Sequence, residues 1–315
     1  MSEWKRQIAA YFKDPSKKAW EAIRAGLDGG KNPNEVIDGV PALLRAIQWK
    51  DKKLSHALLD AGAKADIAIG KEGDTLLHHL ALELRDVSLV EKVVARGAKL
   101  TATGKRGMTA LHLAVLPEYS GARYGGSRPL TEWLLENRAD LNARNKDGKT
   151  PLHLLCSGDG SKISSARESS ALYLIERGAK VNIADNDGST PLHLASSSQS
   201  RSIVKALLEH GAKITKDKYG NTPLHFGTLY DDDPFDPKVI ELLVAAGGDV
   251  NVKNKAGVTP FTEALDEGQV KVAKALAVHG AKKSIPLPSG ETAVEWAEAE
   301  DDSALAAFFK RTLAP

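Results

Sequence analysis

The chain has 315 residues, with 43 basic against 41 acidic side chains, a formal net charge of +2 and a single cysteine, Cys156. That balance argues against wholesale nucleic-acid binding, which goes with a marked basic excess, and one cysteine permits no intrachain disulfide. No apolar run approaches the roughly 18–20 residues that cross a bilayer, so no membrane insertion is expected. The opening MSEWKRQIAAYFKD lacks a long apolar segment with a small-residue cleavage site. A secretory signal is therefore not expected, and the expected location is cytoplasmic.

From Glu3 to Phe12, the apolar positions Trp4, Ile8, Ala9, Tyr11 and Phe12 predict a helix. Asp14-Pro15-Ser16 breaks it, and Lys17 to Ala25 predicts a second, using Trp20 and Ile23. Residues 1–38 read as a degenerate opening unit that caps a stack, because Ala25-Gly26-Leu27-Asp28 echoes the endings of later units. The next unit opens at Gly39-Val40-Pro41 and closes at Leu58-Leu59-Asp60-Ala61-Gly62-Ala63. Later openings are Gly73-Asp74-Thr75, Gly107-Met108-Thr109, Gly148-Lys149-Thr150, Gly188-Ser189-Thr190, Gly220-Asn221-Thr222, Gly257-Val258-Thr259 and Gly290-Glu291-Thr292. Their threonines are separated by 34, 41, 40, 32, 37 and 33 residues. A period near 33 with variable excess marks an array of helix pairs, none of which buries its own apolar face alone.

Gly188 to Tyr219 shows the unit most plainly. Thr190 and Pro191 suit an N-cap and a first helical position, where proline's missing N–H costs nothing. Leu192, Leu194 and Ala195 give the first helix its apolar side. A second helix is predicted from about Ser202 to Glu209, with Ile203, Val204, Ala206, Leu207 and Leu208 as its stripe. Gly211 suits the left-handed position that ends it.

The recurring Gly-x-Thr-Pro-Leu-His-x-Ala, as at Gly188 to Ala195, with a later Leu-Leu-x-x-x-Gly-Gly-x-Val-Asn, as at Leu242 to Asn251, closely resembles the ankyrin repeat family. The resemblance runs from about residue 39 to residue 300. Departures fall at the ends, where Pro41 replaces the threonine and Thr262 and Glu295 replace the histidine. The implied fold is all-α: a solenoid of about eight to nine stacked antiparallel helix pairs with hairpin loops projecting as fingers. Residues 39–289 would form the array and 290–315 a C-terminal cap. The resemblance implies binding of another protein across the fingers and the concave helices, without catalysis.

Against the Gly188 unit, the surplus residues fall between the two helices of a pair, within 117–129, 157–170 and 230–237. These inserts are candidate recognition loops, because they bring Tyr119, Arg123, Tyr124, Arg128 and Phe235, residue types of which several are enriched at interfaces.

Signs of catalysis are weak. His78, His112, His153, His193 and His225 share one motif position, where the resemblance implies a ring bonded to neighbouring backbone. One repeat apart, they cannot share a metal whose Zn–N contacts are about 2.0–2.1 Å. Cys156 reads as a packed residue of a first helix, and Gly158-Asp159-Gly160-Ser161-Lys162 lacks phosphate-loop spacing. The aspartates at 231–233 read as a solvated acidic loop. No cofactor or metal is expected.

The finger tips carry Lys105, Arg106, Arg144, Lys146, Lys216, Lys218, Tyr219, Lys253 and Lys255, interrupted by an acidic patch at Asp185 and Asp187. Such a row suits an acidic protein surface. Trp49 and Tyr230, at first-helix ends, are further aromatic anchors. The candidate partner-contacting residues are thus Trp49, Arg106, Met108, Tyr119 and Tyr124, together with Lys149, Lys218, Tyr219, Tyr230 and Phe235. The expected protein is a monomeric, non-enzymatic interaction module. The alternatives are a bacterial effector or toxin-neutralising inhibitor that blocks an enzyme, a hidden enzyme, and a carrier of a phosphate or peptide ligand.

Overall fold

The structure, a computed structural model, describes residues 1–116, 128–158, 163–227, 236–282 and 284–313. The chain divides into two compact units, Met1–Lys146 and Asp147–Pro315.

In the first unit, α1 (Glu3–Lys13) and α2 (Lys17–Asp28) pair at the start. Each begins on a serine whose hydroxyl accepts an otherwise orphan amide, Ser2 from Lys5 at 3.1 Å and Ser16 from Ala19 at 3.3 Å. Gly26 allows the close approach: a Cβ there would overlap the Trp4 ring. Tyr11 ties this pair to the next one, its hydroxyl donating to Asp51 Oδ2 at 2.6 Å. The other oxygen of Asp51 caps a later helix through Leu54 N at 2.9 Å. That next pair is α3 (Ala42–Gln48) and α4 (Lys52–Asp60).

Two short antiparallel ladders qualify the expectation of an all-helical chain. β1 (Val36–Ile37) pairs with β2 (Val40–Pro41), Val36 opposite Pro41, and β3 (Ala68–Ile69) pairs with β4 (Asp74–Thr75), Ala68 opposite Thr75. Each is only a two-residue clasp at the base of a finger.

α5 (Leu76–His79) does not continue as a regular helix. It widens into a π turn over Leu80–Leu84, after which Arg85 lies in the left-handed region at φ 51°. The Arg85 guanidinium donates to the carbonyl of Leu116, closing the wide turn over the end of another first helix. The unit continues with α6 (Val87–Ala95), a 3-10 turn at Lys105–Gly107, α7 (Ala110–Val115) and α8 (Arg128–Glu136).

Among the described residues the second unit holds five pairs: α9 (Pro151–Cys156) with α10 (Ser165–Glu176), α11 (Pro191–Ser197) with α12 (Arg201–Glu209), α13 (Pro223–Phe226) with α14 (Pro237–Ala245), α15 (Pro260–Asp266) with α16 (Val270–Val278), and α17 (Ala293–Ala299) with α18 (Ser303–Thr312). From α9 to α15, first helices pack on first helices; from α10 to α18, second helices pack on second helices. Most of the predicted stripe is core: Leu192, Ala195, Ile203, Val204 and Leu207 are fully buried, while Leu194, Ala206 and Leu208 are only half-buried. Each Leu, Ile or Val buried this way contributes about 1.5–3 kcal/mol, which the unit gains only by having neighbours. Phe261 and Phe309 close the end edge-to-face, with centroids 5.6 Å apart.

The expected inserts are narrower than their sequence limits. Residues 165–170 are helical and belong to α10, which Ser164 caps through the amide of Arg167 at 3.4 Å. Arg128 and Pro129 open α8, while Asp236 caps α14 and Pro237 starts it. The hydroxyl-rich run 164–170 reads as loop by composition, but helix formation buries Arg167 and half-buries Ser170 beside the core. Among the described residues, no helix is long and apolar enough to cross a membrane.

Candidate functional site

Five first helices, α5, α7, α9, α11 and α13, start on a latch made of threonine and histidine, while Thr262 and Glu295 take the histidine's place in α15 and α17. In the second unit Thr150 N–H donates to His153 Nδ1 at 3.1 Å, and the ring's Nε2 lies 3.2 Å from the Ser189 carbonyl of the adjacent repeat. His193 reaches Asn221 O at 3.3 Å and His225 reaches Val258 O at 3.2 Å in the same way. In the first unit His78 reaches Met108 O at 2.9 Å. A ring that accepts at Nδ1 and faces a carbonyl at Nε2 is neutral with its proton on Nε2. Burial dominates its titration and lowers the pKa of His78 and His193, and brings His153 and His225 down to about 4, against opposing contributions from nearby aspartates and carbonyls. These histidines are fasteners between repeats, as the resemblance implied.

The fingers are held by a second device. Asp185 Oδ1 accepts the amides of Asp187 and Ser189, both at 2.9 Å. Asp217 Oδ1 accepts those of Tyr219 and Asn221, both at 2.8 Å. Asn254 Oδ1 accepts those of Ala256 and Val258, both at 3.0 Å. Each side chain nucleates its own turn three residues before a left-handed glycine. The sequence reading of Asp185 as half of an acidic patch is therefore corrected: the carboxylate is buried in its turn and only Asp187 faces outward. The signal was legible as an Asp or Asn recurring at 185, 217 and 254 before Gly188, Gly220 and Gly257.

Neighbouring fingers are also joined through backbone. Asn186 N donates to Asp147 O at 3.0 Å, Lys218 N to Asp187 O at 2.8 Å, and Lys255 N to Tyr219 O at 2.9 Å. In the first unit Lys146 N donates to Arg106 O at 2.9 Å. Such a row presents its tips on a fixed backbone, which lowers the ordering cost of recognition.

The predicted contact residues fall into several settings. Lys218 and Tyr219 share one tip: Tyr219 is 56% exposed, Lys218 lies 4.9 Å above its ring, and the ammonium also pairs with Asp187. Arg106 is exposed at another tip in the left-handed region, with φ 55°. Met108 and Lys149 are half-buried, Met108 giving its carbonyl to His78 and its sulfur to Asn145 Nδ2 at 3.5 Å. Trp49 is 57% exposed at the end of α3, its ring edge-on to Phe12 with centroids 5.3 Å apart. Stack packing and an exposed anchor thus each describe part of the ring. Tyr119, Tyr124, Tyr230 and Phe235 lie outside the described residues.

Constellations suggestive of chemistry have structural explanations. Cys156 is fully buried at the end of α9, and burial pushes its thiol pKa far up, the reverse of an activated nucleophile. Ser88 Oγ lies 3.2 Å from His56 Nε2, but it donates to Asp86 Oδ1 at 2.8 Å, so the carboxylate holds the serine and does not orient the imidazole. Burial opposes the charge of Asp86, yet bonds from Lys52, Ser88 and the Leu89 amide outweigh it and bring its pKa to about 2. Among the described residues no group of three or more metal-ligating side chains converges.

Comparison with known proteins agrees with this geometry. The family description "Ankyrin repeats (3 copies)" matches residues 119–218 and 163–235, and "Ankyrin repeat" matches 219–255. The chain is 29% identical over 67% of its length to B-cell lymphoma 3 protein homolog of Mus musculus, covering 44% of that protein. It is 28% identical over 85% of its length to SH3 and multiple ankyrin repeat domains protein 2 of Homo sapiens, covering 12% of it. It is 30% identical over 49% of its length to Nuclear factor NF-kappa-B p105 subunit of Gallus gallus, covering 15% of it. The chain thus spans less than half the length of each of these relatives. Threonine–histidine latches at a period near 33, finger turns set by an Asx residue, and the family descriptions matched over residues 119–255 show that the chain carries ankyrin repeats.

Proposed function

We propose that this protein is a non-catalytic, monomeric, cytoplasmic module that binds another protein through its finger turns and the ends of its first helices. Ankyrin repeats are general protein–protein interaction modules. The observation that carries the finer reading is the fixed tip at Lys218 and Tyr219. An exposed aromatic ring and a cation sit there on a turn tied to its neighbours by Lys218 N–Asp187 O and Lys255 N–Tyr219 O. Rigid aromatic and basic anchors are the residue types that dominate interface energies. Lys216, Lys253 and Lys255 extend the basic character along the same row, which favours an acidic partner surface.

Residues 1–38 and 290–315 act in this reading as caps that close the ends of the array. The inserts expected within 117–129 and 230–237 would add Tyr119, Tyr124, Tyr230 and Phe235 to the contact surface. The test is affinity capture from the native host, with crosslinking of the recovered complex. Crosslinks concentrated at 216–219 and 253–255 are expected; crosslinks confined to the second helices would overturn the finger reading.

A further inference from the structure

At the C-terminal end of the second unit, a groove runs between the ends of α15 and α17. It is lined by Leu265, Val270, Trp296 and Leu305, with Asp266 and Glu300 among its walls. Both carboxylates are exposed, and neither has a salt-bridge partner among the described residues. Both also stand where a helix disfavours them: Asp266 is the last residue of α15 and Glu300 is the C-cap of α17, each beside the negative end of a helix dipole. Glu267 and Asp301 adjoin them. Asp302 is different, because its Oδ1 is engaged with Leu305 N at 2.8 Å as the cap of α18. The half-buried Trp296 lines the groove beside this negative potential.

A cation is what such a groove complements, and the apolar walls suit the methylene stem beneath it. We propose that the α15–α17 groove receives a lysine or arginine side chain from an extended basic segment of a partner protein. The inference rests on the protein-interaction reading but assigns a second surface of opposite charge preference to the basic fingers.

The probe is a hexalysine peptide, titrated into the full chain at low ionic strength and monitored by calorimetry and by the summed fluorescence of the five tryptophans, with hexaglutamate as the opposite-charge control. The net charge of +2 gives a polycation no general attraction, so any binding must be local. Binding of hexalysine is expected to weaken by about tenfold or more in Asp266→Asn/Glu300→Gln and in Trp296→Ala. Glu176→Gln/Glu209→Gln, a neutralisation of equal size on α10 and α12, is expected to leave it unchanged. The Asp266→Asn/Glu300→Gln variant keeps side-chain shape, so it decides the matter even where Trp296→Ala melts early. Equal loss in both double variants, or none in either, overturns the assignment. A native partner that binds Asp266→Asn/Glu300→Gln as tightly as the parent overturns the groove and leaves the protein-interaction reading standing.

Discussion

His153 and Ser189 lie 36 residues apart in sequence, yet the ring Nε2 of one meets the carbonyl of the other at 3.2 Å, inside a buried junction between repeats. The same ring accepts the Thr150 amide, so one side chain satisfies two backbone groups that water cannot reach.

His153→Ala leaves both groups unpaired and opens a cavity. It should destabilise the protein by about 2–4 kcal/mol in urea unfolding, well beyond the effect of an exposed histidine such as His210→Ala. Equal midpoints for the two variants would remove the latch as a source of stability.

The neutral latches also set a pH dependence. In the folded chain His153 and His225 titrate at about 4, while in the unfolded chain each titrates near 6.5. Between those values the unfolded state binds more protons. The stabilisation is therefore complete above about pH 6.5 and is lost as pH falls toward 4. His78 and His193 shift in the same direction. Between pH 7 and 5.5 the loss should be about 1 kcal/mol for each of His153 and His225, read as a falling urea midpoint at constant slope.

Two glycines separate backbone strain from crowding. Gly188 and Gly211 are both left-handed, with φ 84° and 81°. A Cβ at Gly211 meets open space, whereas one at Gly188 would stand 2.9 Å from Lys218 N in the next finger. Gly211→Ala should cost about 1–2 kcal/mol, the left-handed penalty alone. Gly188→Ala should cost about 1–3 kcal/mol more, because the finger-to-finger hydrogen bond has to give way. Thermal unfolding of the pair measures the difference.

Tyr219→Ala should leave folding stability within about 0.5 kcal/mol, since the ring is exposed and its turn is held by Asp217. Affinity for a captured partner should fall by about 1–2 kcal/mol if the tip is an anchor. Unchanged affinity would move the contact surface away from this finger.

Much of the molecule was readable in the chain. Thr190-Pro191-Leu192-His193 announced a helix start, and the Ile203, Val204 and Leu207 stripe announced burial, because both are local patterns repeated at a constant period. The π turn at Leu80–Leu84 was not legible, since Leu80, Ala81 and Leu84 fit a regular helix equally well and the turn's partner, the Leu116 carbonyl that Arg85 reaches, lies 31 residues away. Asp185 and Asp187 look alike as letters; only the turn geometry buries one and exposes the other. Trp296 falls in the expected C-terminal cap, and that it shares a groove with Asp266, 30 residues earlier, depends on how the repeats stack. The order of residues was enough to specify the repeat, its helix starts and its core, because short-range periodicity and backbone capping dictate them. Which charges face outward and which first-helix ends share a groove emerged only on folding, because contacts between repeats set them and no local pattern encodes those contacts.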